Sequence, residues 1–222
     1  MSYRTGPKIV TDGLVLCLDA ADRNSYPGSG STWYDLSGQS NDFTINGPTF
    51  SSLNNGCFSF NGSADYMRKT TSGIITNSVT IETWFYLSQT KSYHGIFGSS
   101  NTERYEMLVK GTYQVEVSLQ SSNWAQYNNQ LALNNWYNFT LSATNGSQWK
   151  MYKNGNDLGN PSNSSGTWQV SGAVTYLDIG RLRNNTLFTP NGLIPIIKVY
   201  NRALSASEVL QNYNATKGRF GL

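Results

Sequence analysis

Strict alternation of apolar and polar residues recurs along most of this chain. Residues 79–87 carry it most clearly. Val79, Ile81, Thr83, Phe85 and Leu87 fall on one side of a strand, and Thr80, Glu82, Trp84 and Tyr86 on the other. Aromatic rings on both sides predict a central strand covered above and below. Tyr113, Val115, Val117 and Leu119 alternate with Gln114, Glu116, Ser118 and Gln120, and the run pairs with 106–110 across Gly111-Thr112 as a hairpin. Tyr137, Phe139, Leu141 and Ala143 alternate with Asn138, Thr140 and Ser142. Asn145-Gly146 and Asn154-Gly155 bracket 148–153 as hairpin turns. Shorter runs lie at 14–19, 43–45, 57–60, 66–69, 176–180 and 193–200, where Pro195 predicts an edge position or a bulge. The total is about ten to thirteen short strands, the pattern of a sandwich or barrel.

Two segments break the rule. Residues 20–41 are rich in Gly, Ser, Asn and Asp and read as a long loop pinned by Trp33 and Tyr34. Residues 205–214 read as a helix. Ser205 and Glu208 form a capping box, Val209, Leu210 and Tyr213 give one apolar face, and Gly218 is the expected stop. Residues 1–12 read as an arm with a turn at Gly6-Pro7, and 13–222 as one domain, since no repeat or linker interrupts them.

Composition agrees with a folded β protein. Charged residues are only 13% of the 222, while Trp 6, Tyr 14 and Phe 9 supply ample core area. The net charge of +3 is scattered singly, without the basic cluster a nucleic-acid binder needs. No apolar run approaches membrane-spanning length, so no membrane insertion is expected. The start has no apolar signal segment, so an outside role is expected to be reached by another route. Cys17 and Cys57 sit in strand-like runs and read as buried thiols, with a disulfide open if their strands are neighbours.

Several segments resemble the LamG-like family of concanavalin A-like jelly rolls: GLVLCLDA at 13–20, TWYDLSGQSND at 32–42, FSFNGSADYM at 58–67, SVTIETWFYL at 78–87, WYNFTLS with WKMYKNG, and IIKVYNRALSASEV at the end. The resemblance implies an all-β jelly-roll sandwich of two antiparallel sheets with one short C-terminal helix. The opening at 6–38 and the closing NATKGRFGL also look like structural proteins of tailed bacteriophages, especially phages of marine cyanobacteria. That narrower resemblance implies a non-enzymatic virion component: a capsid decoration, fibre or appendage subunit in a symmetric assembly. It would be made in the host cytoplasm and contact other capsid or tail proteins, with the arm and the 217–220 tail as docking elements. The alternative is a carbohydrate-binding module for host surface polysaccharide.

Glucanases of this fold place alternating carboxylates on one strand. Here Glu82 and Glu116 each stand alone on a strand, and Glu103 and Glu106 have the wrong spacing, so no catalytic site is expected. His94 has no nucleophile partner and reads as structural. Relatives often hold calcium with loop oxygens, which would fall to Asp19, Asp65, Asp22 and Asp178, although Pro195-Ile196 stands where many relatives carry an acidic pair. No cofactor is required. For glycan stacking, the candidates among the loop aromatics are Trp124, Tyr127 and Trp168.

Overall fold

In the computed structural model, residues 7–70, 74, 77–99, 105–111, 113–120, 123–169 and 175–222 are described. Two antiparallel sheets, of eight and nine strands, face each other. The first runs Asn156–Asp157, Lys150–Lys153, Trp136–Thr144, Ser78–Leu87, Asn191–Tyr200, Cys57–Asn61 and Thr49–Ser51. Leu14–Asp19 also pairs with Asn191–Tyr200, beyond the stretch taken by Cys57–Asn61. The second runs Asn163–Ser165, Asn123–Tyr127, Gln114–Gln120, Glu106–Lys110, Tyr93–Ser99, Tyr176–Ile179, Tyr66–Thr70, Phe43–Asn46 and Thr32–Trp33.

Alternation explains the core. Val79, Ile81 and Phe85 point inward with Phe139 and Leu141, and meet Met107, Val115, Val117 and Leu177 of the second sheet. The Phe85 and Phe139 rings stack at 5.5 Å. Asn191–Tyr200 is a central strand, not an edge. Its register slips between Leu193 and Ile196, so Pro195 sits in a bulge where no ladder amide is needed. The 20–41 loop covers the open side of Leu14–Asp19: Leu36 N donates to the Cys17 carbonyl at 2.8 Å, and Asn41 Nδ2 to the Val15 carbonyl at 2.6 Å. Only one expected anchor is buried. Trp33 is fully enclosed, whereas Tyr34 is exposed, and Tyr26 packs edge-on against Phe58 in its place. Both cysteines are buried and free.

The helix is Ala206–Thr216, with both halves of the capping box formed and Arg202 holding Glu208 by two hydrogen bonds of 3.1 and 2.6 Å. That contact, with the Ser205 amide, pulls the Glu208 carboxyl down to about 2. The buried face differs from the expected one. Val209 and Asn212 are buried and Tyr213 packs against Trp84, but Leu210 is 43% exposed. Asn212 is preferred because the surface beneath the helix is ionic. Its Nδ2 donates to Glu82 Oε2 at 2.8 Å and to the Tyr200 hydroxyl at 2.9 Å. Gly218 does not stop the chain either. A 3-10 turn, Lys217–Phe220, continues to Gly221, whose φ of 74° makes the left-handed exit. Ser205→Ala is expected to cost about 1 kcal/mol, and Leu210→Ala no more than about 0.5 kcal/mol, both read from urea unfolding. A loss at Leu210 as large as a core deletion would contradict this placement.

The arm is partly docked. Val10 is buried; its N donates to Asn212 Oδ1 at 2.8 Å, and its carbonyl accepts the Tyr200 hydroxyl at 3.0 Å. Val10 thus ties this stretch to the helix and to Asn191–Tyr200, and 1–6 lie outside the described residues. Among the described residues no helix is long and apolar enough to cross a membrane.

Candidate functional site

The outer face of the second sheet gathers the polar residues that alternation sends away from the core. Direct cross-strand partners share a face. One row therefore runs Thr44, Arg68, Asp178, Gly98, Glu106, Ser118, Trp124 and Ser165 across eight strands. A parallel row holds Leu108, Glu116, Gln126 and Asn163. The register shift between Gly95 and Phe97 turns both Gly95 and Gly98 to this face.

Those glycines receive a strap. Residues 181–188 leave the Tyr176–Ile179 strand and fold back over the sheet. A Cβ on Gly95 would lie 2.6 Å from Leu182 Cγ and 2.7 Å from the Phe188 carbonyl, and one on Gly98 would strike the Tyr105 carbonyl. The strap tip is a tight turn: Asn185 N donates to the Leu182 carbonyl at 3.0 Å, with Arg183 and Asn184 at φ of 54° and 51°. Arg183 tolerates that conformation because its guanidinium grips buried Glu106 with two bonds of 2.7 Å, which also raises its own pKa. Phe188 packs on Leu108 and Tyr93.

Beside the strap lies a cleft of about 250 Å³. Tyr93, Lys110, Glu116, Trp124, Gln126 and Arg183 form its walls, with Leu108 and Phe188 between them. Trp124 is half-buried, so one part of its ring is open to solvent. Lys110 Nζ donates to Glu116 Oε2 at 2.6 Å, and Gln126 Nε2 donates to the same oxygen. The cleft thus offers an aromatic surface, one buried carboxylate and three kinds of N–H donor. On the far side of the strap is a second hollow of about 350 Å³, lined by Thr44, Asn46, Tyr66 and Arg68 among others. There Arg68 holds Asp178 with two bonds of 2.7 Å, and Arg181 lies over the Tyr66 ring at 3.3 Å.

Of the three aromatics expected to bind glycan, only Trp124 reaches this cleft. Asn123–Tyr127 is a strand rather than a loop, so Trp124 and Tyr127 point to opposite faces. Tyr127 is buried in the core, and burial pushes its phenol up to about 12. Trp168 packs edge-on against Trp149 at 5.4 Å. Tyr93, Lys110, Gln126 and Arg183 were not singled out from the sequence; alternation within 123–127 would have flagged Gln126, but Arg183 has no local signal.

The carboxylates named for calcium do not converge. Asp19 accepts from the Ala21 amide at 2.9 Å and pairs with Arg219. Asp22 caps the Asn24 amide at 2.8 Å, and Asp65 takes the Asn61 amide at 2.8 Å. Asp178 is on a strand, enclosed by Arg68 and Arg181. Among the described residues no group of three or more His, Cys, Asp or Glu is arranged to hold a metal. Each carboxylate instead serves a loop amide or a guanidinium. His94 points inward beside Lys91, and burial, then that ammonium, push its imidazole down to about 4.

A family model described as the concanavalin A-like lectin/glucanases superfamily, of laminin G type, matches residues 61–210. Among curated protein sequences none matches this chain. Among solved structures, the Trypanosoma rangeli sialidase in complex with sialic acid is similar over 97% of this chain and 36% of its own, at 15% identity and a TM-score of 0.72. The botulinum neurotoxin type G receptor binding domain is similar over 91% of this chain and 51% of its own, at 17% identity and a TM-score of 0.66. The binding domain of botulinum neurotoxin serotype D is similar over 92% and 52%, at 14% identity and a TM-score of 0.68. The chain thus spans about a third of the sialidase and half of the neurotoxin domains, and at these identities the likeness is one of fold.

Proposed function

The chain belongs to the concanavalin A-like lectin/glucanases superfamily, and from that premise we propose that it is a glycan-binding module without catalysis, with Trp124 as its stacking platform. The observation that carries the reading is a partly exposed tryptophan beside a buried carboxylate and several N–H donors in one cleft. A sugar ring has an apolar face for the indole, and hydroxyls that both donate and accept. Glu116 would accept from them, while Lys110, Gln126 and Arg183 would donate. Lys110 and Arg183 each already carry a carboxylate partner, which favours an uncharged sugar over an acidic one. The non-enzymatic reading rests on the cleft's lining, which among the described residues holds a single carboxylate, Glu116, where glycosidases pair two across the scissile bond. The receptor-binding neurotoxin domain, similar in fold, favours recognition as a use of this architecture.

Trp124→Ala is expected to weaken binding on an array of neutral glycans about tenfold or more, with a smaller change in melting temperature than a core deletion because Trp124 is not fully buried. Unchanged binding by this variant, or no binding by the unmodified protein, would sink the reading.

The second reading is a virion structural protein that displays this module. What favours it is that Val10 and Phe220 both pack on the outer side of the first sheet, so a particle contact on that side leaves the cleft outward. Mass spectrometry of purified particles tests it, and absence of the chain from them rejects it.

A further inference from the structure

The strap changes what kind of glycan the cleft can take. An uninterrupted sheet face would let a polysaccharide lie across several strands, each sugar unit contacting the next strand. Here the face is cut near its middle. Leu182 and Phe188 stand over the Tyr93–Ser99 strand, and Arg183 reaches on to Glu106 of the neighbouring strand. The cut is built in at three levels. Two glycines turned outward by a bulge leave room for the strap, a tight turn with two left-handed residues brings its tip back, and a bidentate ion pair to a buried carboxylate locks it. Arg183 N also donates to the Ser99 carbonyl at 3.1 Å, which ties the backbone of the tip to the strand beneath. The two hollows left on either side have different chemistry. One offers the Trp124 ring with Glu116 and Lys110, the other Arg68 and Tyr66 under Arg181.

We infer that the Trp124 cleft recognises the terminal residue of a neutral glycan and not an internal stretch of a chain, because the strap walls off the path along the sheet. Phe188 and Arg183 form the wall against which the chain end stops. The volume of about 250 Å³ lies below the range of about 300–1,000 Å³ typical of drug-sized ligand pockets, which suits one ring with part of a second. This inference rests on the glycan-binding reading above and goes further by naming the part of the glycan that is read.

The test is a length series on the full chain. Linear oligosaccharides of glucose, galactose and mannose, from methyl glycoside to hexasaccharide, are titrated by calorimetry. The same chains are then titrated with the non-reducing terminal ring methylated. The expected result is an affinity that levels off by the disaccharide, with further units changing it by less than about twofold, and that is lost when the terminal ring is blocked. Affinity that climbs about tenfold or more from disaccharide to hexasaccharide, or that survives blocking of the end, would overturn the inference and leave glycan binding standing. Absence of binding to every sugar in the series would overturn both.

Discussion

Glu82→Ala is expected to destabilise the protein by about 3–5 kcal/mol, the cost of stranding a buried charge. Glu82 and Lys198 are fully enclosed beneath the helix, with Lys198 Nζ donating to Glu82 Oε1 at 2.8 Å. Asn138 Nδ2 reaches the same oxygen at 3.3 Å, and Asn212 Nδ2 reaches the other at 2.8 Å. Removing the carboxylate leaves an ammonium with no counterion and two amides short of an acceptor. Urea unfolding of the single and double variants separates these effects. Glu82→Leu with Lys198→Met removes both charges and is expected to recover a large part of the loss, since an apolar pair of similar volume often matches a buried ion pair. If Glu82→Ala unfolds at the wild-type midpoint, the cluster does not hold the helix down.

Trp84→Ala is expected to cost a further 3–5 kcal/mol or so, the usual range for deleting a large buried aromatic. The indole is buried completely. It stacks on Phe220 at 4.1 Å and on Tyr213 at 5.8 Å, and its Nε1 donates to Thr216 Oγ1 at 3.0 Å. Helix, 3-10 turn and sheet therefore meet on one ring. The loss should carry a local signature. With Phe220 released, trypsin should cut after Lys217 and Arg219 under conditions where the wild-type chain resists. Cleavage no faster than wild type would mean that Arg219, which bonds Asp19 and the carbonyls of Asn54 and Gly56, anchors the tail by itself.

Both variants sit at positions that alternation alone made visible. Alternation puts Thr80, Glu82, Trp84 and Tyr86 on one side of their strand, and the capping box is spelled out by Ser205 and Glu208, three residues apart. What stayed hidden depended on distant partners. A helical face drawn from apolarity chose Leu210 over Asn212, because periodicity cannot show that the surface beneath carries an ion pair. Residues 123–127 passed for a loop because Asn and Gln dilute their alternation, and so Trp124 and Tyr127 were grouped although a strand parts them. Asp178, on a strand legible from the sequence, is a calcium candidate only while its partner Arg68, 110 residues earlier, is out of view. The strap rests on a contact between Arg183 and Glu106, 77 residues apart, for which no local pattern exists.

The two thiols give this molecule an internal clock. Burial pushes the Cys17 thiol up to about 12 and raises that of Cys57 as well. Neither sulfur can react as a thiolate while its strand stays closed. Alkylation must wait for the protein to open, so its rate counts openings rather than encounters with reagent. The two reporters watch different places. Cys17 lies on Leu14–Asp19, whose free side is covered by the 20–41 loop, whereas Cys57 pairs with Ser51 on the short rim strand and lies near the Arg219 anchor. Unequal labelling at the two sulfurs would therefore show which end of this sheet loosens first, with no probe added to the chain.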